Sequence, residues 1–373
     1  MAKSKNILTP NELDCFDILQ ARGLYPVGID LAARVFQVCY FDVQAKRLKN
    51  VQLSRDKFKE FILEAEFNFG HILAVFEACG ACNYWARFIE ALGHQVKIIS
   101  AQAVLPFKDT SDKNDDIDAR AIFLAAISPF RRNVIKVKTE QEQVIANLFT
   151  IRANLIKQRT QTLNAYRAMI YELGGVSDPR STKRLLESGN AIIEELESRD
   201  SKATDSFKLI SSTLTGTIKN IDDRVDEINK YLENFSKHDP IASKFISIPG
   251  VGPIVATALF VAMGSPDNFE NSKNFAAYVG MVPKVSGSGG KVTTGRTRKA
   301  CNALVKPLLY FSAMAYIAYI KKHDLKGTNT LLKKFNAATH KKTVLVAIAN
   351  KIARTAWSLA KNDTTFDPKR SRL

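Results

Sequence analysis

Leu24-Tyr25-Pro26-Val27-Gly28-Ile29-Asp30 is the stretch from which the rest of the chain can be placed. Val27 and Ile29 fall on one face of an extended segment and Gly28 and Asp30 on the other. That period of two predicts a strand with a carboxylate at its end. Ala32-Ala33-Arg34 is a short turn into a second predicted strand, Val35-Phe36-Gln37-Val38-Cys39-Tyr40-Phe41, and a third follows at Leu48-Lys49-Asn50-Val51-Gln52-Leu53. Three strands joined by short turns predict an antiparallel meander. Ser54 is placed to cap a helix through Phe58, Phe61, Ile62 and Ala65. His71-Ile72-Leu73-Ala74-Val75-Phe76-Glu77 is largely apolar, as a strand covered on both faces would be. A helix through Trp85, Phe88 and Ile89, a fifth strand at Gln95-Val96-Lys97-Ile98-Ile99 and a helix at 119–126 complete the order β-β-β-α-β-α-β-α. Residues 1 to 22 read as a tail or a short helix.

The chain holds 54 Lys+Arg against 37 Asp+Glu, a formal net charge of +17. Yet Lys113-Asn114-Asp115-Asp116-Ile117-Asp118-Ala119-Arg120 places acids at 115, 116 and 118, just where the last helix of the series begins. Asp115 and Asp118 project from one face of that first turn. They either cap and charge the helix start or share a divalent cation. With the first strand central, the fourth strand lies beside it and the following helix covers the ends of both. That is the arrangement of an RNase H-like fold, and Asp30, Glu77, Asp115 and Asp118 then follow the D-E-D-D order of its resolvase-type members. Oxygen-only ligands suit Mg²⁺ or Mn²⁺. Two such ions can activate a nucleophile and stabilise a leaving oxygen at phosphorus.

The basic excess favours a polyanionic partner, nucleic acid above all. The most apolar run, from Phe311 to Ile320, is too short to span a bilayer and ends in Lys321-Lys322. Met1-Ala2-Lys3-Ser4-Lys5 has no signal-peptide core, so the expected location is cytoplasmic. Five cysteines, with one isolated Cys79-Gly80-Ala81-Cys82, argue for small buried thiols rather than a zinc site or a disulfide framework.

From Thr139 to His238 the pattern turns helical and polar. Ile145, Leu148, Ile151, Leu155, Leu163, Tyr166 and Ile170 recur mostly at three-to-four spacing. This predicts an antiparallel helical hairpin or coiled coil, acting as a spacer, a dimer contact or a nucleic-acid arm. Ile248-Pro249-Gly250-Val251-Gly252-Pro253 lies between two apolar helical runs, in the manner of a helix-hairpin-helix. Gly250 and Gly252 would let backbone N–H groups approach a phosphate; a plain tight turn is the alternative. Tyr278-Val279-Gly280-Met281-Val282-Pro283-Lys284-Val285-Ser286-Gly287-Ser288-Gly289-Gly290-Lys291 reads as a Gly/Ser loop, either a linker or a means of presenting a hydroxyl to a phosphodiester. Arg296, Arg298 and Lys299 follow closely. The C-terminal part is helical with basic faces and ends in a short basic tail, 366–373, that is expected to be disordered.

Taken together, these motifs resemble the IS110 family of insertion-sequence transposases, including its IS1111 branch and the related Piv-type DNA invertases. The resemblance rests on Val27-Gly28-Ile29-Asp30, on Phe76-Glu77-Ala78-Cys79-Gly80 with Tyr84-Trp85-Ala86-Arg87, and on Lys113-Asn114-Asp115 with Asp118-Ala119. It continues through Ile248–Pro253, Val279-Gly280-Met281-Val282-Pro283 and Ser288-Gly289-Gly290-Lys291, and covers about residues 24 to 360. Cys301 stands where the family would have the glycine of a Gly-Asn or Gly-Asp pair. The resemblance implies a tail over 1–23, an RNase H-like DEDD domain over 24–138, a coiled-coil connection over 139–240, a mainly helical transposase domain over 241–361 and a basic tail over 362–373.

The same resemblance implies cutting and rejoining of donor and target DNA. Ser288 would be the nucleophile, with Ser286 as second choice, assisted by Mg²⁺ or Mn²⁺ on Asp30, Glu77, Asp115 and Asp118. Gly250, Gly252, Lys291, Arg296, Arg298 and Lys299 would contact nucleic acid. An element-encoded guide RNA and a homodimer or homotetramer are expected, and no membrane. A junction-resolving endonuclease, a DNA invertase and a non-catalytic nucleic-acid-binding protein are the alternatives.

Overall fold

The alternating faces of β1 organise the first half of the chain, and the structure, a computed structural model, shows what covers each. It describes residues 6–108, 115–128, 134–176, 181–288, 291–297, 304–322, 335–337 and 341–367. Two compact units divide the chain, residues 1–140 and 141–373.

In chain order the first unit runs α1 (Pro10–Ala21), β1 (Tyr25–Leu31), β2 (Val35–Asp42), β3 (Arg47–Ser54), α2 (Arg55–Leu63), α3 (Ala65–Phe69), β4 (Ile72–Glu77), α4 (Cys82–Ala91), β5 (Gln95–Ile99), α5 (Ala101–Val104), α6 (Asp115–Ile127) and β6 (Val134–Ile135). Among the described residues the six strands form one mixed sheet, ordered β3-β2-β1-β4-β5-β6. The meander is antiparallel, and β1, β4 and β5 run parallel. The five strands read from the sequence are all present, with β4 beside β1. The two-residue β6 has too little periodicity to be read that way.

Val27, Ile29, Val38 and Phe36 line one face of the sheet, where Phe36 meets Phe58 of α2 and Trp85 of α4 edge-on at about 5 Å between ring centres. On the other face lies α6. Its Ala119, Ala121, Ile122 and Phe123 are fully buried, so this helix is apolar nearly all round, as an interior helix must be. Thr9 and Glu12 form a capping box at the start of α1, and Phe16 of that helix packs on Tyr25 and Phe41.

The second unit contains α7 (Glu140–Glu172), α8 (Thr182–Ser198), α9 (Thr204–His238), α10 (Ala242–Ile246), α11 (Pro253–Met263), α12 (Ser272–Tyr278), β7 (Pro283–Ser288), β8 (Lys291–Thr297), α13 (Val305–Lys322) and α14 (Lys341–Asn362), its first helix opening at the unit boundary. It is mostly helical. At 33 and 35 residues, α7 and α9 are each roughly 50 Å long, from the helical rise per residue. Polar contacts at seven-residue steps along α7 join it to α9 in antiparallel order. Arg152 donates to Asn229 at 2.7 Å, Arg159 grips Asp222 with two nitrogens at 2.5 and 3.1 Å, and Tyr166 bonds Ser211 at 2.6 Å. α8 packs on α9, and its Gly189 stands where any side chain would strike the Tyr166 hydroxyl. Ile145, Phe149 and Leu232 join α10 to α14 in a separate core.

One expectation needs correction. The loop expected up to Lys291 contains β7 (Pro283–Ser288), which pairs antiparallel with β8 (Lys291–Thr297) as a hairpin. The start of the tail is also held: the Phe366 N–H donates to the Ser247 hydroxyl, and just before it Lys244 pairs with Asp363. No helix among the described residues is long and apolar enough to cross a membrane.

Candidate active site

Gly28 sets the dimensions of the carboxylate site. A Cβ built on it would lie 2.5 Å from the Phe123 nitrogen and 2.7 Å from the Ala119 carbonyl oxygen. The backbone of α6 therefore rests directly on β1, and only glycine permits so close an approach. Asp30 is the next residue along that face of β1, and Asp118 immediately precedes Ala119. Ile29 pairs with Phe76 in the parallel ladder, so the next step of the register brings Asp30 beside Glu77 on the same face. Sheet register and one backbone contact thus bring Asp30, Glu77 and Asp118 to one end of β1 and β4, all half-buried.

Two of these carboxylates share a cation. The Lys108 ammonium lies 3.0 Å from Glu77 Oε2 and 2.9 Å from Asp118 Oδ1. Burial disfavours its charge, but the hydrogen bonds to Asp118 and Glu77 outweigh that and raise its pKa above the ordinary lysine value. Nothing in the sequence pattern marks Lys108, which follows the one-turn helix Leu105–Phe107. Gln37 is a second residue that sequence reasoning missed. It pairs with Asp30 across β1 and β2, and its Oε1 is buried without a hydrogen-bond partner among the described residues. Beyond Glu77 the chain turns through Cys79, where the Cys82 thiol donates to the Cys79 carbonyl at 3.0 Å. A hydrogen bond between the Cys82 and Cys79 side chains lowers the Cys79 pKa, while partial desolvation of the thiol and the charge of Asp30 act the other way. Cys82 is buried as expected, but Cys79 is exposed.

Asp115 is the first residue of α6, and its side chain lies outside the described set. Among the described residues no three His, Cys, Asp or Glu side chains stand close enough together to hold a metal. What the structure brings together is the Glu77–Asp118 pair on Lys108, with Asp30 on the adjoining strand.

In the second unit, Ser288 ends β7 and pairs with Lys291 of β8, while Ser286 is exposed and pairs with Thr293. Arg296 is exposed on β8; Arg298 and Lys299 lie outside the described residues. The turn into α11 divides the roles of its glycines. Gly250 has φ +83° and its missing Cβ makes room for α13, since a Cβ there would lie 2.5 Å from the Ser312 carbonyl oxygen and 2.7 Å from the Tyr316 nitrogen. Its lack of a side chain therefore serves helix packing. Gly252 is the N-cap of α11 and faces open space.

Residues 242–326 match the family described as Transposase IS116/IS110/IS902 family, and residues 27–173 match the DEDD domain of IS110 elements, described as Transposase. The chain is 30% identical over 341 residues to the transposase for insertion sequence element IS1111A of Coxiella burnetii, covering 91% of this chain and 90% of that one. It is 29% identical over 345 residues to the transposase for insertion sequence element IS1328 of Yersinia enterocolitica, covering 91% and 98%. Similarity to the pilin gene-inverting protein of Moraxella bovis is more local, 25% over 135 residues, or 34% of this chain and 38% of that one. With near full-length relatives at this identity, and matches in both units, the chain belongs to the IS110 family of transposases.

Proposed function

We propose that this transposase cuts and rejoins DNA through Ser288, assisted by a divalent metal, Mg²⁺ or Mn²⁺, on Asp30, Glu77, Asp115 and Asp118 of an RNase H-like domain. One observation carries the metal reading: Glu77 and Asp118 already converge on a single positive charge where β1, β4 and α6 meet. Carboxylate oxygens suit a hard cation, and Gln37, which pairs with Asp30 across β1 and β2, has an amide oxygen with no hydrogen-bond partner among the described residues. A divalent ion there would supply Lewis acidity at the phosphate and a lowered pKa for an attacking hydroxyl.

In this reading the Ser288 Oγ attacks phosphorus, loses its proton and forms a phosphoserine bond as a bridging P–O bond of the DNA breaks. The freed strand end keeps a hydroxyl. Attack on that phosphoserine by the hydroxyl of a new strand end reverses the exchange and restores the serine, so no external energy source is needed. The serine and the carboxylates must act on one phosphodiester, from one subunit or two. Arg296, Arg298 and Lys291 neutralise phosphates, with Lys299 and the open start of α11 at Gly252 beside Gly250 as further backbone contacts. The domain limits are those expected from the resemblance, with 139–240 as the helical connection. A guide RNA selects the donor and target DNA, and a homodimer or homotetramer aligns the strands.

Strand transfer on labelled donor and target DNA tests this. Ser288→Ala should abolish both the covalent protein–DNA adduct and the joined product, and Asp30→Asn or Glu77→Gln should lower joining by about 10³-fold or more. An adduct that persists in Ser288→Ala and disappears in Ser286→Ala moves the nucleophile to Ser286. Cutting that continues without any adduct makes the protein a junction-resolving hydrolase. Binding without cutting in any divalent metal makes it a non-catalytic binder. Ribonuclease treatment of the purified protein should abolish target choice. The local similarity to a pilin gene-inverting protein favours inversion as a second outcome, visible as a reversed segment in the same assay.

A further inference from the structure

Lys108 joins three elements at their ends: the turn after α5, the last residue of β4 and the first turn of α6. At 3.0 and 2.9 Å its contacts are direct, charge-assisted hydrogen bonds. Glu77 and Asp118 would repel each other across the gap between β4 and α6 without a positive charge between them. The backbone that delivers the lysine is anchored, because Phe107 packs against the apolar clusters of the first unit. The side chain beyond it is an unbranched four-carbon stem that can move without its backbone.

We propose that Lys108 is a built-in counter-ion: it holds the Glu77–Asp118 pair in place before metal arrives, competes with the metal for the same oxygen atoms, and leaves them as the metal binds. The proposal rests on the reading of Glu77 and Asp118 as metal ligands. It assigns Lys108 a positioning role that precedes any reaction. It also makes the charge at this site exchangeable, one cation supplied by the chain and another by the solution.

The test uses the full-length protein and two readouts that need no DNA. One is the melting temperature in chelator; the other is Mn²⁺ affinity by calorimetry. Lys108→Met removes the charge at similar length, Lys108→Arg keeps it, and Glu77→Gln removes a proposed ligand. Lys108→Met should melt lower in chelator yet bind Mn²⁺ about tenfold more tightly, the size of one charge-assisted contact. Lys108→Arg should melt close to the parent protein. If Lys108→Met proves unfolded in chelator, recovery of its folded circular dichroism by Mn²⁺ is the expected result, and failure to recover overturns the proposal. Unchanged or weaker Mn²⁺ binding by a folded Lys108→Met, while Glu77→Gln still loses Mn²⁺, overturns the proposal alone. A parent protein that binds no Mn²⁺, or a Glu77→Gln variant that binds it as well as the parent, overturns the metal-ligand reading and this proposal with it.

Discussion

At Gly28 and Gly250 the chain has no room for a single methyl group. Both face helix backbone, at 2.5 Å from the nearest atom of a Cβ, and backbone cannot rotate away as a side chain can. Gly28→Ala and Gly250→Ala should each destabilise the unit that contains them by about 1–3 kcal/mol. Gly250→Ala carries the further strain of a positive φ. Urea midpoints measure both. His94 makes a different prediction. Burial, then the neighbouring charge of His71, holds its pKa below the ordinary 6.5, while Glu66 and a hydrogen bond with the Ile62 backbone act the other way. The unfolded chain therefore takes up this proton before the folded chain does. The associated stability is present above about pH 6.5 and is lost as the pH falls through the lowered folded value. His94→Gln should flatten the fall in urea midpoint between about pH 7 and pH 5; an unchanged slope would assign the pH dependence to other groups.

Among the elements, the α7–α9 pair is held by a row of polar contacts whose members differ in worth. Arg159 and Asp222 remain partly exposed, so a double-mutant cycle on them should return only about 0.2–1 kcal/mol. Tyr166→Phe leaves the buried Ser211 hydroxyl without its partner and should cost about 1–2 kcal/mol. A larger coupling at Arg159 than at Tyr166 would mean the exposed pair carries the seam. Strands β1 to β5 were legible because each is either alternating or continuously apolar, the marks left by one or two covered faces. The β7–β8 hairpin was not, because residues 283–287 are exposed and no buried face imposes a period on them. The placement of three acids was legible for a related reason. Asp30 lies next to the end of β1, Glu77 ends β4, and Asp118 lies in the first turn of the next helix. Lys108 could not be found this way, since its role comes from a turn folding back over β4 and leaves no periodic trace. Gly28 showed its face in the sequence but not what touches it.

For the molecule as a whole, two properties can be followed separately. The chain has two tryptophans, Trp85 buried in the first unit and Trp357 bonded to the Pro266 carbonyl at 3.0 Å in the second. Single-tryptophan versions therefore watch one unit each. Gly28→Ala should lower the unfolding midpoint seen by Trp85, and Gly250→Ala the one seen by Trp357. The charge of +17 concerns the whole surface. Affinity for duplex DNA of arbitrary sequence should fall linearly in a log–log plot against salt, with a slope near −0.9 per phosphate neutralised. A flat plot would remove charge as the basis of binding. The contact at Gly28 bears on how freely such a chain can vary. The spacing between β1 and α6 is a distance between two main chains, with no rotamer in it. Nearby apolar residues can therefore be exchanged for others of like volume while the carboxylates keep their positions. In a saturation library selected for strand transfer, tolerance should run through Val27 and Ile29 and stop abruptly at 28, giving an invariant position inside a permissive strand.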